Sequence, residues 1–153
     1  MAKGKTEQRD WYDTPEYYDI IFDADTAREA DFMEAVWERF NRVPTPKQRR
    51  RVLEPACGSG RLVLEMARRG WRVDGFDLSE EMLRFARQRM AAAGLKARLW
   101  VDDMAGFTAP AQGQYHLSHC LVSTFKYLLT EADAQGNLRR GQDALMPGGL
   151  HIL

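Results

Sequence analysis

Residues 51–62, running from Arg51 to Leu62, constrain the fold more than any other stretch of the chain. A short apolar run, Val52 and Leu53, leads to the acid Glu54 and then to a turn ending in Gly58–Ser59–Gly60. From there the apolar residues Leu62, Val63, Met66 and Ala67 recur at helical spacing. A strand that passes through a tight glycine turn into a helix builds a small-molecule site at the carboxyl edge of an open α/β sheet. Glycine lacks a Cβ, so it adopts positive φ and lets a ligand approach the backbone. The helix that follows points its free N–H groups at the same space. The dinucleotide pattern G-x-G-x-x-G needs a third glycine, and that position is Val63.

The remainder alternates strand and helix patterns. Thr14 is placed to cap a short helix with Pro15 at its first position, and a second helix is predicted from Thr26 to Arg42, with Phe32, Ala35, Val36, Trp37 and Phe40 as its apolar face. Pro44 and Pro46 end it. The basic run Lys47–Arg51 reads as a solvated edge before the first strand, Arg51–Glu54. The helix from Arg61 to Arg69 stops at Gly70. A second strand over Trp71–Asp77 ends on an acid seventeen residues after Gly60. Ser79 then caps a helix, with Glu80 and Glu81 in its first turn, that runs to Ala93 and closes at Gly94. A third strand over Ala97–Val101 runs into Asp102–Asp103–Met104, and a fourth spans Tyr115–Leu121. Residues 122–129 form the loop and short helix facing the ligand. A helix from Glu131 to Leu145 precedes Met146–Pro147–Gly148–Gly149 and a fifth strand, Leu150–Leu153. This alternation specifies an α/β fold with a parallel sheet covered by helices on both faces.

Four elements in order, E-x-x-C-G-S-G from Glu54, G-F-D-L-S from Gly75, D-D-M from Asp102 and P-G-G from Pro147, resemble the class I S-adenosylmethionine-dependent methyltransferases. The resemblance covers residues 17–153. It implies a Rossmann-like, doubly wound, mostly parallel sheet of order 3-2-1-4-5, formed by residues 47–153, behind an N-terminal helical cap segment, residues 1–46. It implies S-adenosyl-L-methionine as cofactor, with Ala56, Cys57, Gly58, Ser59 and Gly60 around its methionine part and Glu54 at its ammonium group. By the same resemblance Asp77 holds the ribose, Leu78 and Met82 lie against the adenine, and Asp103 and Met104 read its edge. Cys120 and Leu121 pass under the sulfonium, and Tyr17 or Tyr18 reaches the cofactor from the cap. A carboxylate at the tip of the second strand accepts from two ribose hydroxyls, which NAD enzymes also exploit, so Asp77 signals a ribose before any one cofactor. The implied activity is methyl transfer to an O, N or C of a small-molecule acceptor. No residue is assigned as catalytic base; His116 and His119 read as packing residues. The alternatives are a cofactor-binding domain or partner subunit without catalysis and, less in keeping with the missing glycine, a nucleotide-binding oxidoreductase.

Charge separates along the chain. Residues 1–40 hold eleven acids against five bases, and the rest holds 17 bases against 11 acids. The reading is an acidic N-terminal segment packed on a basic body. With 22 acids and 22 bases overall, nothing draws the chain toward nucleic acid or a membrane. Cys57 and Cys120 belong to no spaced metal or redox motif, so both are expected reduced and structural, as in a cytoplasmic protein. The class I fold continues beyond a fifth strand. The chain is therefore expected to be a truncated form, with homo-oligomer pairing through the free edge of that strand.

Overall fold

The computed structural model of the chain describes residues 15–153. Five parallel strands form one sheet of order β3-β2-β1-β4-β5: β1 Arg51–Pro55, β2 Arg72–Asp77, β3 Arg98–Val101, β4 Tyr115–His119 and β5 Leu145–Ile152. The α-helices are α1 Pro15–Phe22, α2 Thr26–Phe40, α3 Arg61–Arg68, α4 Glu80–Ala92 and α5 Glu131–Ala144. This is the doubly wound, Rossmann-like sheet that the sequence implies. Thr14 lies outside the described residues.

The helix ends follow local chemistry. Ser79 accepts from the Met82 N–H at the start of α4, and Thr130 accepts from the Asp133 N–H at the start of α5. After α3, Gly70 at φ 89° lets its own N–H reach the Ala67 carbonyl and the Trp71 N–H reach the Met66 carbonyl. Gly94 closes α4 by the same paired bonds.

Two apolar clusters lie on opposite faces of the sheet. One joins Ala30, Met33 and Trp37 of α2 to Leu62, Val63 and Met66 of α3 and to Val52, Val73 and Leu117 of the strands. The other packs Leu53, Phe76 and Tyr115 against Phe107, Ala109 and Ala111 of the β3–β4 connection and Ala144 of α5. The buried stripe of α2 is Thr26, Ala30, Met33 and Trp37. Phe32, Ala35 and Phe40, expected inside, are exposed. Trp37 of that stripe stands edge-on to Trp71 with centroids 5.9 Å apart, a contact worth about 0.5–1.5 kcal/mol beyond its buried area.

The charge asymmetry becomes an interface. Glu34 of α2 pairs with Lys47 and Arg69, and Glu38 pairs with Arg50, which also lies over the rings of Trp37 and Trp71. Asp31 pairs with Arg69, Glu29 with Arg61, and Asp19 of α1 with Arg89 of α4. The run Lys47–Arg51 is therefore engaged with α2 and with Asp74. Lys47, Gln48 and Arg49 are exposed, as a solvated edge would be, while Arg50 and Arg51 are half-buried against these partners.

β5 departs most from expectation. It begins at Leu145, so the P-G-G element lies inside it. Tyr115 pairs with Leu145 and Leu117 with Leu150, which leaves a bulge on β5. A Cβ on Gly149 would stand 2.9 Å from the Tyr115 carbonyl oxygen and 3.0 Å from that of Met146. Gly149→Ala is expected to destabilise the chain by about 2–3 kcal/mol, because backbone atoms must move. Urea denaturation checks this, and an unchanged midpoint would show that the bulge accommodates a methyl group.

Candidate functional site

The turn after β1 is strained by design of its sequence. Ala56, Gly58 and Gly60 all adopt positive φ, at 54°, 53° and 72°. Gly60 is doubly constrained, because a Cβ there would stand 2.7 Å from the Ala86 Cβ of α4. The tip of β2 holds this turn. The Gly58 N–H donates to Asp77 Oδ2 at 2.8 Å, the Ser79 N–H donates to Asp77 Oδ1 at 2.9 Å, and the Cys57 N–H reaches the Phe76 carbonyl at 2.9 Å. Gly75 leaves room for Cys57, since a Cβ there would meet the Cys57 Cβ and Sγ at 3.2 Å. Burial raises the Asp77 carboxyl above its ordinary range, opposed by the N–H donors of Ser79, Gly58 and Leu78.

Three spaces lie in a row along the carboxyl ends of the strands. A cleft of about 620 Å³ is lined by Phe76, Asp77, Leu78, Asp102, Met104 and Tyr127, among others. A cavity of about 20 Å³ is lined by Glu54, Cys57, Arg61, Leu121 and Val122, and it shares Ala56 and Thr124 with the cleft. A groove of about 420 Å³ follows on the other side, sharing Leu121 and Val122 with the cavity and adding Asp25, Arg28, Glu29 and Phe32 of the N-terminal helices.

Glu54 sits at the centre. It is 7% exposed, and its Oε2 has no hydrogen-bond partner among the described residues. Burial pushes its carboxyl up to about 8; Arg61 opposes this, while Glu29 and Asp77 add to it. His119 of β4 places an equally unpartnered Nε2 at 3.9 Å from Glu54 Oε2, beyond hydrogen-bond length. Burial first, and then His151 and Arg61, push the imidazole down to about 3. Both shifts favour the uncharged forms, a carboxylic acid and a neutral imidazole, over an ion pair. His119 is buried as a packing residue is, but it is not a satisfied one. Arg61, itself buried, donates to Thr26 Oγ1 at 3.0 Å and to Glu29. Ser59 donates to Asp19 Oδ1 at 2.5 Å, which ties α1 to the glycine turn.

The residues singled out in the sequence fall in different places. Glu54, Ala56, Cys57, Asp77, Leu78, Met104 and Leu121 line the cleft or the cavity. Met82 does not: it is fully buried in α4, with Leu83 and Ala86 on the same helix also buried. Asp103 is exposed, and its Oδ1 accepts from the Ala105 N–H at 2.8 Å; the acid that lines the cleft is Asp102. Asp102 also organises its own loop, accepting from Trp100 Nε1 at 3.1 Å and from the Asp103 and Thr108 N–H groups at 2.9 and 3.3 Å. Cys120 is buried, and its N–H extends the β4–β5 ladder to the Ile152 carbonyl at 2.9 Å. Burial pushes its thiol up to about 12 and that of Cys57 well above its ordinary value; both are free cysteines. Tyr17 is exposed, and the Tyr18 side chain lies outside the described residues. Val122 and Ser123, at φ 59° and 58°, make a left-handed turn at the mouth of the cavity that their residue types do not announce. Among the described residues no cluster of three or more His, Cys, Asp or Glu is placed for a metal, and no helix is long and apolar enough to cross a membrane.

An open parallel sheet of this order, a glycine turn after its first strand and an acid at the tip of its second define a class I, Rossmann-like methyltransferase architecture. Residues 52–149 match the methyltransferase domain family, and the chain belongs to it. It is similar to YqeM of Bacillus subtilis, at 30% identity over 74% of this chain and 45% of the relative. It is also similar to the ubiquinone biosynthesis O-methyltransferase of Sinorhizobium fredii, at 28% identity over 92% of this chain and 56% of the relative. Among solved structures it resembles an S-adenosylmethionine-dependent methyltransferase from Clostridium acetobutylicum, with TM-score 0.74, 25% identity, and 88% of this chain and 53% of that one covered. The chain spans about half the length of the curated relatives it matches.

The perturbed pair makes stability depend on pH with a definite sign. Glu54 is raised from 4.5 to about 8, so the folded state binds more protons than the unfolded state between those values, and stability falls as pH rises through that window. His119 is lowered from 6.5 to about 3, so its contribution is lost as pH falls below 6.5. Between pH 6.5 and 8.5 the tails of the lowered His116, His119 and His151 oppose the Glu54 effect and those of the raised Cys57 and Cys120 thiols add to it, but Glu54→Gln, which mimics the protonated form, shares them all. Relative to that variant, the wild type is expected to lose about 1–2 kcal/mol across the interval. Parallel denaturant curves for the two proteins at both pH values would expose an error if the slopes match.

Proposed function

We propose that this chain binds S-adenosyl-L-methionine across the carboxyl ends of β1, β2 and β4 and serves methyl transfer to an O, N or C of a small-molecule acceptor. The observation that carries the reading is the buried, unpartnered Glu54 Oε2 on a cavity that opens beside the Asp77 cleft. A nucleoside ligand with a charged amino group at its far end fits that spacing of one buried acid and one acid at a strand tip. The absence of a phosphate-binding lysine in the glycine turn suits a ligand without phosphate.

The chain's own residues bind and orient. Asp77 accepts from the ribose hydroxyls while it holds the Gly58 N–H, because each carboxylate oxygen has two acceptor sites. Leu78, Phe76 and Met104 supply apolar walls for the adenine, and Asp102 lies at its edge. Glu54 takes the amino group, and Arg61, anchored to Thr26 and Glu29, stands beside it. When bound, the cofactor supplies a methyl group on a positively charged sulfur. The groove beyond Leu121 and Val122 would receive the acceptor, with Phe32 as an apolar wall and Asp25, Arg28 and Glu29 as polar ones. Positioning of the two reactants is then the protein's main contribution to rate. A base is needed only for an acceptor that must lose a proton. Neither thiol serves as one at neutral pH, since burial keeps both protonated.

The test is titration calorimetry with S-adenosylhomocysteine and NAD in parallel. The expected result is binding of the first and not of the second; the reverse removes the reading. Asp77→Ala is expected to weaken S-adenosylhomocysteine binding by about 1.5–3 kcal/mol, the scale of charge-assisted hydrogen bonds, with circular dichroism confirming the fold. Unchanged affinity in a folded variant takes Asp77 out of the site.

A further inference from the structure

The centre of the site holds a buried acid with an unsatisfied oxygen. Among the described residues Glu54 Oε2 has no hydrogen-bond partner. An ionised carboxylate in that state is costly, and a protonated one much less so. The groups that face it come from every neighbouring element. Arg61 of α3 attracts a negative charge, but its guanidinium is already held by Glu29 of α2, whose own charge opposes ionisation of Glu54. Asp77 of β2 also opposes it. His119 of β4 stays neutral, with its Nε2 3.9 Å away, and the Cys57 and Cys120 thiols stay protonated. The cavity beside this carboxyl measures about 20 Å³, room for one water-sized group. A primary ammonium head has that size, and it brings a positive charge and N–H donors directly to Glu54 Oε2.

We propose that the amino group of the ligand displaces a proton from Glu54, so that each binding event releases close to one proton to solvent. The step balances. The Glu54 carboxylic acid gives up its proton to water, and the carboxylate that remains accepts a hydrogen bond from the ligand's ammonium group. The inference rests on the cofactor reading above and adds to it a specificity rule. The site recognises the amino end of its ligand through a change in protonation, and a ligand without that end gains nothing from Glu54.

Calorimetric titration of the 153-residue chain at pH 7 in phosphate and in Tris tests this, because the two buffers differ widely in heat of ionisation. With S-adenosylhomocysteine the observed heat is expected to differ between the buffers by the amount for nearly one proton released. With 5′-methylthioadenosine, which keeps the adenine and ribose but has no amino-acid end, the heat is expected to be the same in both. That comparison separates Glu54 from Asp77, whose carboxyl is also raised by burial and faces the ribose end. Glu54→Gln is expected to bind S-adenosylhomocysteine more weakly and release no proton. Should the variant lose binding altogether, the 5′-methylthioadenosine comparison decides. Heats for S-adenosylhomocysteine that do not depend on buffer overturn the inference and leave the cofactor reading standing. So does equal proton release with both ligands. No binding of S-adenosylhomocysteine in either buffer removes the cofactor reading and this inference together.

Discussion

The turn that leaves β1 is held by the tip of β2, and the rest of the site depends on that contact. The turn, with positive φ at Ala56, Gly58 and Gly60, closes a local bond from the Gly60 N–H to the Cys57 carbonyl, but its Cys57 and Gly58 N–H groups find their acceptors on β2. Asp77 supplies the missing acceptor through its bond from the Gly58 N–H, and the Phe76 carbonyl does the same for Cys57. Buried N–H groups need such partners. The consequence is geometric: the acid at the edge of the cleft is tied to the turn whose Ala56 and Cys57 line the cavity. Gly60, pressed against Ala86, fixes where α3 starts relative to α4. A residue that binds ligand is thus also a residue that shapes the turn.

The N-terminal helices are held by a different force. Individual surface ion pairs contribute about 0–1 kcal/mol. Here acids of α1 and α2 meet bases drawn from the segment before β1, from α3 and from α4. Packing of Ala30, Met33 and Trp37 supplies the apolar part of the same interface. In the pairs nearest the site both partners are withdrawn from water, Arg61 and Glu29 at 5% and 23% exposed and Arg89 and Asp19 at 17% and 15%. Breaking one partner of a buried pair leaves an uncompensated charge, so these contacts fix the position of the helices more than they add to stability. Glu29 illustrates the link to function: it anchors Arg61, and its charge also reaches Glu54.

Particular residues show how far the chain can be read without coordinates. The glycine stops at Gly70 and Gly94 and the cap at Ser79 were legible because each rests on local backbone chemistry. Asp77 was legible because a strand tip beside a glycine turn is a fixed place in a parallel sheet. The choice between Asp102 and Asp103 was not. Both follow the same strand, and only the bonds from Trp100 and Thr108 turn Asp102 toward the cleft. Met82 was misplaced for a similar reason, since position in the first turn of a helix does not say which way the side chain faces. In α2 Trp37 was legible as a packing residue, but Phe32 and Phe40 are exposed, and Ala30 and Met33, which were not singled out, complete the buried stripe.

The sequence by itself determined the sheet, the glycine turn and the acids that stand at its edge. These depend on periodicity, on glycine's freedom at positive φ and on short-range capping, all of which act within a few residues. Only the tertiary structure decided the protonation of the site. The state of Glu54 follows from the desolvation of one carboxyl by β1, α3 and β4 together, from Arg61 being held by Glu29, and from a neutral His119 across 3.9 Å. Those groups lie far apart in the chain, and a pKa shift arises only when folding removes water from all of them at once.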